Sequence, residues 1–253
     1  MLEKIALRVF PRLKRLYDDR NRLFEECNRL RATEQRLKLS AELARQGVEL
    51  VLDVGANTGQ FARSLRTDGY AGKIISFEPL SAAFAMLQHK CAQDRDWDCH
   101  NLAIGDVEGS ATINVSANSL SSSLLPVRAR TLEIEPRIAY VAQETVVLRR
   151  LDSLLPELTT AKRICLKIDT QGFERKVIEG ARSIFDRIVM VQMELAWTPS
   201  YEGQAEMKDM VDTMRALGLE PASVASAWTD PATGVMPEID VAFIRPLAKT
   251  HMP

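Results

Sequence analysis

A glycine-rich segment, Asp53-Val-Gly55-Ala56-Asn57-Thr58-Gly59, follows an apolar stretch and precedes a helix-forming one. Gly55 and Gly59 let the backbone turn tightly and approach a ligand without a Cβ in the way. The helix after the turn would present unpaired N–H groups to the same ligand. Glu78 ends the next apolar stretch, where a carboxylate can accept hydrogen bonds from both hydroxyls of a ribose. The spacing therefore predicts a site for an adenosine-type ligand.

The same turn discriminates between two adenosine-type cofactors. Asn57 stands where the dinucleotide fingerprint G-x-G-x-x-G has its second glycine. Asp53 adds a carboxylate that would repel a pyrophosphate but attract the amino group or the sulfonium of S-adenosylmethionine (SAM). The turn thus favours SAM, with S-adenosylhomocysteine as its product, over NAD. Asp53 could also cap the turn, and the two roles are compatible.

Asp169 and Glu194 end two further apolar stretches. Ligands of open α/β sheets bind at the carboxyl ends of the strands, so both carboxylates are candidates for the catalytic base of a methyl transfer. They could instead hold a divalent cation together with a substrate diol. Lys167 lies two residues before Asp169 and should share its strand face, where it could tune Asp169 or bind substrate. The structural alternative is that Asp169 caps the next helix and Glu194 pairs with Lys167.

Strands and helices are predicted to alternate from residue 48 onward, which indicates a doubly wound, mainly parallel α/β sheet with an antiparallel strand at its edge. The predicted strands are Val48–Val54, Lys73–Phe77, Asp98–Ile104, Arg163–Ile168, Arg187–Leu195, Pro221–Ala227 and Ile239–Arg245. The predicted helices are Thr58–Asp68, Ser81–Gln93 (with Ser81 as N-cap), Phe173–Phe185 and Gln204–Leu217.

Residues 110–150 interrupt this alternation. Ala111–Val115 and Val146–Leu148 have strand patterns, so the segment is predicted to be an insertion that carries a β-hairpin. The serine-rich stretch Ser119–Ser123 lies between them, and its small polar residues predict a loop that is mobile until an acceptor binds. We expect the insertion to build most of the acceptor pocket.

Residues 1–47 form a separate helical segment before the 48–253 domain. Residues 12–46 contain no glycine or proline, and Leu16, Leu23, Leu30 and Leu37 recur every seven residues. This stripe predicts either a homodimer formed through the helix or a helix packed on its own domain. Residues 1–40 hold 11 basic and 6 acidic residues, so contact with an anionic surface is a further possibility beside a simple solvated helix.

The composition describes an ordinary globular protein, with 253 residues, 46% hydrophobic and 26% charged. No stretch is apolar enough for a signal peptide or a membrane span, and the four cysteines show neither zinc spacing nor a disulfide framework. These features predict a cytoplasmic location. The three histidines are expected to be incidental, although His100 could reach the edge of the site.

Five blocks of this sequence resemble the FkbM family of SAM-dependent methyltransferases. The matching blocks are Asp53–Gly59, Phe77-Glu78-Pro79, Ala103-Ile-Gly-Asp106, Leu151-Asp-Ser-Leu154 and Lys167-Ile-Asp-Thr-Gln-Gly-Phe-Glu174, which continues into Val177-Ile-Glu-Gly-Ala181. The resemblance covers residues 48–246 and departs from the family at one point. The family often has Val-Glu-Gly where this chain has Thr170-Gln171-Gly172, so no catalytic role is carried to Gln171.

The resemblance implies a class I methyltransferase fold and a set of SAM-binding residues. Those in the turn and at the second strand are Asp53, Gly55, Ala56, Asn57, Gly59 and Glu78. Asn101, Ala103 and Asp106 follow the third strand, where such folds hold the adenine, although Asp106 could equally be a turn residue. The family also implies O-methylation of a sugar, a glycan or a related small molecule.

Two other function classes stay open. One is a SAM-binding scaffold without catalysis, which would recruit partners through the N-terminal helix. The other is a nucleic-acid methyltransferase, but the amino-methylating DNA enzymes place a Pro-Pro-aromatic stretch where this chain has Asp169-Thr-Gln-Gly-Phe173. We therefore expect no nucleic-acid partner.

Overall fold

The computed structural model of the protein describes residues 11–118, 120–228 and 236–247. For residues 11–13, 24, 25, 28, 31, 32 and 226–228 it describes the backbone only. Several predictions fall outside the described residues and stay predictions. They concern the basic residues before Pro11, Ser119 of the serine-rich stretch, and His251, one of the three histidines.

The chain divides into two compact units between Glu42 and Leu43. In its described part the first unit is a single helix, α1 (Pro11–Arg45), whose last residues belong to the second unit. The helix predicted before the α/β domain is thus confirmed, and its length follows from the absence of helix breakers after Pro11. Within the described ranges, no helix combines the length and hydropathy that a bilayer span requires.

The second unit is built on a seven-stranded sheet. In chain order its strands are β1 (Leu50–Val54), β2 (Lys73–Phe77), β3 (Trp97–His100), β7 (Ile164–Ile168), β8 (Ile188–Ala196), β9 (Glu220–Trp228) and β10 (Glu238–Ile244). A second sheet contains β4 (Ala103–Ile104), β5 (Gly109–Ser116) and β6 (Tyr140–Arg149).

The strand order in the large sheet is β3-β2-β1-β7-β8-β10-β9. The first five strands pair parallel, whereas β10 pairs antiparallel with both β8 and β9. The order reverses its direction between β1 and β7, which puts the connecting helices on opposite faces of the sheet. This confirms the doubly wound α/β fold with an antiparallel edge. Ligands of such folds bind where the order reverses, at the carboxyl ends of the strands.

Every residue of β1 and of β7 is buried, as expected for central parallel strands that are covered on both faces. The helices between the strands are α2 (Gln60–Thr67), α3 (Ser81–Cys91), α4 (Ala129–Ile134), α5 (Leu151–Leu158), α6 (Glu174–Glu179) and α7 (Met207–Ala216). Short 3-10 helices follow α4 at Pro136–Ile138 and α6 at Arg182–Arg187. In the insertion, β5 and β6 pair antiparallel.

Three local predictions were wrong. The stretch Asp98–Ile104 is not one strand, because the chain turns at Asn101 and continues as β4 in the other sheet. Ser81 is not an N-cap: Leu80 holds that position, and the Ser81 hydroxyl donates to the Glu144 carboxylate. The helix predicted over 173–185 ends at Gly180 and resumes as a 3-10 helix.

Candidate functional site

A cavity of about 830 Å³ opens at the carboxyl ends of the central strands. Two sets of residues line it, and we name each for its place in the fold. The strand-end wall is formed by Gly55, Asn57, Glu78, Asp169 and Glu194. The insertion wall is formed by the cavity-lining residues between 113 and 138, which include Ser121, Ser122, Leu124, Arg128, Arg130, Thr131, Ile134 and Arg137.

The turn after β1 packs tightly against its own neighbours. Gly55 has φ 75°, and a Cβ there would lie 1.9 Å from the main-chain oxygen of Asp169. Gly59 has φ 81°, and a Cβ there would lie 2.8 Å from the Trp97 ring and 2.9 Å from Leu87. Both glycines are therefore required by the packing of the turn on the protein itself. The sequence also predicts that they let the backbone approach a ligand, and this stays a prediction.

Glu78 is held in place by the backbone. One carboxylate oxygen accepts from the Asn57 N–H at 2.7 Å, and the other accepts from the Leu80 N–H at 2.9 Å. The residue is 5% exposed, and this burial raises its pKa to about 7 despite the two hydrogen bonds. A carboxylate offers about four acceptor positions, so the two that remain can receive ligand hydroxyls at the cavity surface.

Asp53 and Lys167 form a buried ion pair because β1 and β7 place them side by side in register. The Lys167 ammonium lies 3.1 Å from Asp53 Oδ1 and 3.6 Å from Asp169 Oδ2, and it donates to the Gly55 carbonyl at 3.1 Å. Burial opposes the charge, but the two carboxylates outweigh it, so the pKa of Lys167 is raised. The Ser76 hydroxyl donates to Asp53 Oδ2 at 3.3 Å. Lys167 thus ties the turn to the end of β7.

Gln171 connects the two candidate catalytic carboxylates. Its Nε2 group donates to Asp169 Oδ1 at 3.1 Å and lies 3.3 Å from Glu194 Oε2, to which it also donates. The Tyr201 hydroxyl donates to Gln171 Oε1 at 2.8 Å, and the Ser123 hydroxyl donates to the Gln171 carbonyl at 2.6 Å. This glutamine therefore joins two strand ends to the insertion, a role that a carboxylate at the same position could not fill as donor.

Glu194 lies among other acids, and its environment favours the protonated form. Burial, followed by the charges of Glu238, Asp169, Asp240 and Glu174, raises the pKa of Glu194 to about 9. The register of β8 and β10 explains part of this, since Asp240 is the direct neighbour of Glu194. These surroundings favour the protonated form of Glu194, in which it can donate a hydrogen bond, and its predicted role as a base stays a prediction.

The three residues predicted to surround the adenine are placed differently from one another. Ala103 lines the cavity. The Asn101 amide instead donates to the carbonyls of Glu78 and Pro79, each at 2.9 Å, so it shapes the turn after β2. Asp106 forms an ion pair with Lys176 at 2.8 Å and does not line the cavity.

The structure therefore brings half of the predicted site residues to the cavity surface: Gly55, Asn57, Glu78, Ala103, Asp169 and Glu194. The others, Asp53, Ala56, Gly59, Asn101, Asp106 and Lys167, do not line it. Two of them contact lining residues or each other: Lys167 donates to the Gly55 carbonyl and pairs with Asp169, and Asp53 pairs with Lys167. Glu194 and Lys167 do not pair among the described residues, whereas Lys167 pairs with Asp53 and Asp169. The His100 ring stacks on Phe77 with centroids 5.6 Å apart and lies outside the cavity lining.

Sequence reasoning missed the arginines of the insertion and Tyr201 as cavity residues. Arg128, Arg130 and Arg137 all line the cavity, and so does Tyr201, which follows β8. These three arginines lie within ten residues of each other, in a segment that the sequence predicts to build the acceptor pocket. Their clustering could have identified them as candidate site residues. Tyr201 carried no comparable signal, because it lies in an irregular stretch.

Among residues 11–118, 120–228 and 236–247, no group of three or more His, Cys, Asp or Glu side chains has a geometry suited to a metal ion. The divalent cation that the sequence analysis proposed as a possible ligand of Asp169 and Glu194 stays a prediction.

Comparison with solved structures gives distant matches. The methyltransferase FkbM of Methylobacillus flagellatus KT is 15% identical, with a TM-score of 0.48 over 78% of this chain and 43% of that one. Magnesium protoporphyrin IX methyltransferase of Synechocystis PCC 6803, solved with bound SAM, is 10% identical, with a TM-score of 0.46 over 86% and 81% of the two chains. Fibrillarin of Aeropyrum pernix, in complex with natively bound SAM, is 11% identical, with a TM-score of 0.44 over 78% and 66%.

The chain spans less than half the length of the M. flagellatus protein. No curated protein matches the sequence significantly. A family model described as the methyltransferase FkbM domain matches residues 53–221, about two thirds of the chain. This range begins at the Asp53 turn and includes both walls of the cavity. The chain therefore belongs to the FkbM family of methyltransferases.

Proposed function

We propose that this methyltransferase uses SAM to methylate a hydroxyl group on a sugar, a glycan or a related small molecule. The observation that carries the proposal is the buried Glu78 carboxylate, which two backbone N–H groups fix at the surface of the cavity. The cavity continues from this carboxylate to Asp169 and to the insertion wall, so one space serves both a cofactor and an acceptor.

The residues around Glu78 fit the adenosine part of SAM. The two free acceptor positions of Glu78 suit the ribose hydroxyls, because a carboxylate accepts from two neighbouring hydroxyls at once. Beside it, the cavity is lined by Leu102, Ala103 and Ile104, which offer an apolar surface to a flat base. The volume of about 830 Å³ lies in the upper part of the range for small-molecule sites, about 300–1,000 Å³. That size leaves room for an acceptor beside the cofactor.

SAM supplies a methyl group that is already activated on a sulfonium. The protein therefore needs to align the acceptor hydroxyl and to remove its proton. Asp169 is the candidate base, because its carboxylate lines the cavity and is half exposed, at 48%. Lys167 on one side and the Gln171 amide on the other fix its orientation. Glu194, whose surroundings favour its protonated form, can donate a hydrogen bond to the acceptor when it carries the proton.

A methyl-transfer assay tests this proposal. Purified protein is incubated with methyl-labelled SAM and extracts of the source cell, with and without a metal chelator, and the labelled product is identified. We expect label on the oxygen of a sugar or related small molecule, and none with Asp169→Asn. Label on nucleic acid would show that the acceptor is a nucleic acid rather than the proposed sugar or small molecule. SAM binding without any transfer would favour a scaffold.

We propose in addition that the chain forms a homodimer through α1. Leu16, Leu23, Leu30 and Leu37 are 58–69% exposed, so the seven-residue stripe presents apolar surface along the helix. A seven-residue step returns to nearly the same side of an α-helix, which is the pattern that a second helix covers. A second copy of the chain carries the matching stripe.

We also infer a cytoplasmic location. Cys27, Cys91, Cys99 and Cys165 are all free thiols, as expected in a reducing compartment. Cell fractionation with an antibody to the protein would test the inference, and recovery in a membrane or secreted fraction would contradict it.

A further inference from the structure

The two walls of the cavity differ in their ionisable side chains. The strand-end wall carries the carboxyl groups of Glu78, Asp169 and Glu194, and Glu238 at the start of β10 also lines the cavity. The insertion wall is lined by three arginines, Arg128, Arg130 and Arg137, and by a single carboxylate, Glu135. A molecule that fills the cavity therefore meets hydrogen-bonding acids at one end and guanidinium groups at the other.

The three arginines differ in their partners. Arg137 is satisfied locally, since its Nε and Nη2 each lie 2.7 Å from the Glu135 carboxylate. Arg128 has a loose partner: its Nε lies 3.8 Å from Glu202, and this buried nitrogen makes no hydrogen bond. In the part of the chain that the structure describes, the Arg130 guanidinium has neither a hydrogen bond nor an ion pair. Two guanidinium groups of the wall thus keep their donors available.

The segment that carries these arginines is anchored. The Arg128 N–H donates to the Ser200 carbonyl at 3.0 Å, and the Thr131 hydroxyl donates to the same carbonyl at 3.2 Å. The start of α4 is therefore fixed to the loop after β8, which also supplies Tyr201 to the cavity. Arg128 and Arg130 consequently project from a fixed backbone rather than from a free loop.

We propose that the acceptor carries an anionic group, a carboxylate or a phosphate, which Arg128 and Arg130 bind at the insertion wall. This inference rests on the proposed function, because it names the class of acceptor for the same cavity. The planar fork of a guanidinium matches the two oxygens of a carboxylate or a phosphate. Holding the anion at the insertion wall also orients the acceptor with its reactive hydroxyl toward Asp169 on the other wall.

Matched probe pairs test this class of acceptor on the full chain saturated with S-adenosylhomocysteine. The first pair is p-nitrophenyl β-D-glucuronide and p-nitrophenyl β-D-glucoside, which differ at one carboxylate. The second pair is glucose 6-phosphate and glucose. Calorimetry should show at least one anionic probe binding about tenfold or more tightly than its neutral partner, as expected for hydrogen bonds to charged groups. Preference within the first pair identifies a carboxylate, and preference within the second identifies a phosphate.

Three variants assign that preference to residues. Arg128→Gln together with Arg130→Gln should remove most of it, while Arg137→Gln, a matched control on an arginine already paired with Glu135, should keep it. All variants should bind S-adenosylhomocysteine as the unchanged protein does. The inference is overturned if neither anionic probe is preferred, or if the double variant keeps the preference. Failure of the unchanged protein to bind S-adenosylhomocysteine would instead refute the proposed function.

Discussion

The two walls of the cavity are built by different means. On the strand-end wall, the backbone and buried neighbours fix each polar group: two N–H groups hold Glu78, and Lys167 and Gln171 hold Asp169. On the insertion wall, the polar groups are longer side chains on a short helix, and Arg130 has no partner among the described residues.

This difference separates two kinds of requirement. A cofactor common to many enzymes can be bound by groups that the sheet itself positions, because parallel strand ends have a fixed geometry. An acceptor specific to one enzyme needs side chains that can vary without disturbing the sheet, and an inserted segment supplies them. Substitutions on the two walls should therefore affect different steps of the reaction.

The largest effect is expected from Asp169→Asn. If Asp169 removes the acceptor proton, the rate of methyl transfer should fall about 100- to 10,000-fold, while the affinity for S-adenosylhomocysteine stays unchanged. Asp186→Asn, at an exposed aspartate outside the cavity, is the control. A single-turnover assay separates the chemical step from binding. A variant that keeps its full rate would exclude Asp169 as the base.

Glu78→Ala should act on binding instead. Losing its hydrogen bonds to the ribose should weaken S-adenosylhomocysteine binding by about 1–3 kcal/mol. Calorimetry measures this change, and circular dichroism checks that the fold is intact. The Arg128→Gln variant serves as the comparison from the other wall and should bind the cofactor product normally. Unaltered affinity in Glu78→Ala would remove this residue from the site.

A smaller effect concerns stability and pH. The pKa of Glu194 is about 4.5 for the free side chain and about 9 in the folded protein, so folding favours its protonated form. This contribution is complete below about pH 4.5 and is lost as the pH rises through about 9. Glu78 and Glu174, whose pKa values are raised to about 7, also lower the free energy of unfolding as the pH rises, but their contribution is lost at a lower pH than that of Glu194.

The free energy of unfolding should therefore fall from about pH 5 to about pH 9, and Glu194→Gln should make the upper part of that decline shallower. Urea titrations at several pH values measure it. Identical pH dependence in Glu194→Gln and the unchanged protein would show that Glu194 ionises normally.

Substitutions in the leucine stripe of α1 are expected to have the smallest effect on either wall. Replacing Leu23 and Leu30 by serine should convert the dimer into a monomer and leave cofactor binding and methyl transfer unchanged. Light scattering gives the mass, and a truncation that removes residues 1–40 should behave in the same way. If the protein without substitutions is already a monomer, the leucine stripe has another role.

The sequence predicted the strand-end wall better than the insertion wall. Gly55, Glu78 and Asp169 could be placed because strand ends follow from apolar runs, and the sheet then determines which ends meet. The register that pairs Asp53 with Lys167 could not be predicted, since it depends on how β1 and β7 align. That pairing buries Asp53 behind the cavity, although its charge suggested direct contact with the cofactor.

The insertion was harder to predict for a physical reason. Its short helix α4 and the position of Arg128 depend on tertiary contacts such as the hydrogen bond to Ser200, which no local pattern encodes. Part of the serine-rich stretch is also more anchored than its composition suggested. Ser123 is fully buried and hydrogen-bonded to Gln171, while the predicted mobility of the loop stays untested.

The most direct test of the account is calorimetry of the full chain with SAM, S-adenosylhomocysteine and NAD. The strand-end wall, with its glycine turn and the fixed Glu78 carboxylate, predicts binding of SAM and of S-adenosylhomocysteine at one site and no binding of NAD. Tight binding of NAD without binding of SAM would contradict the account.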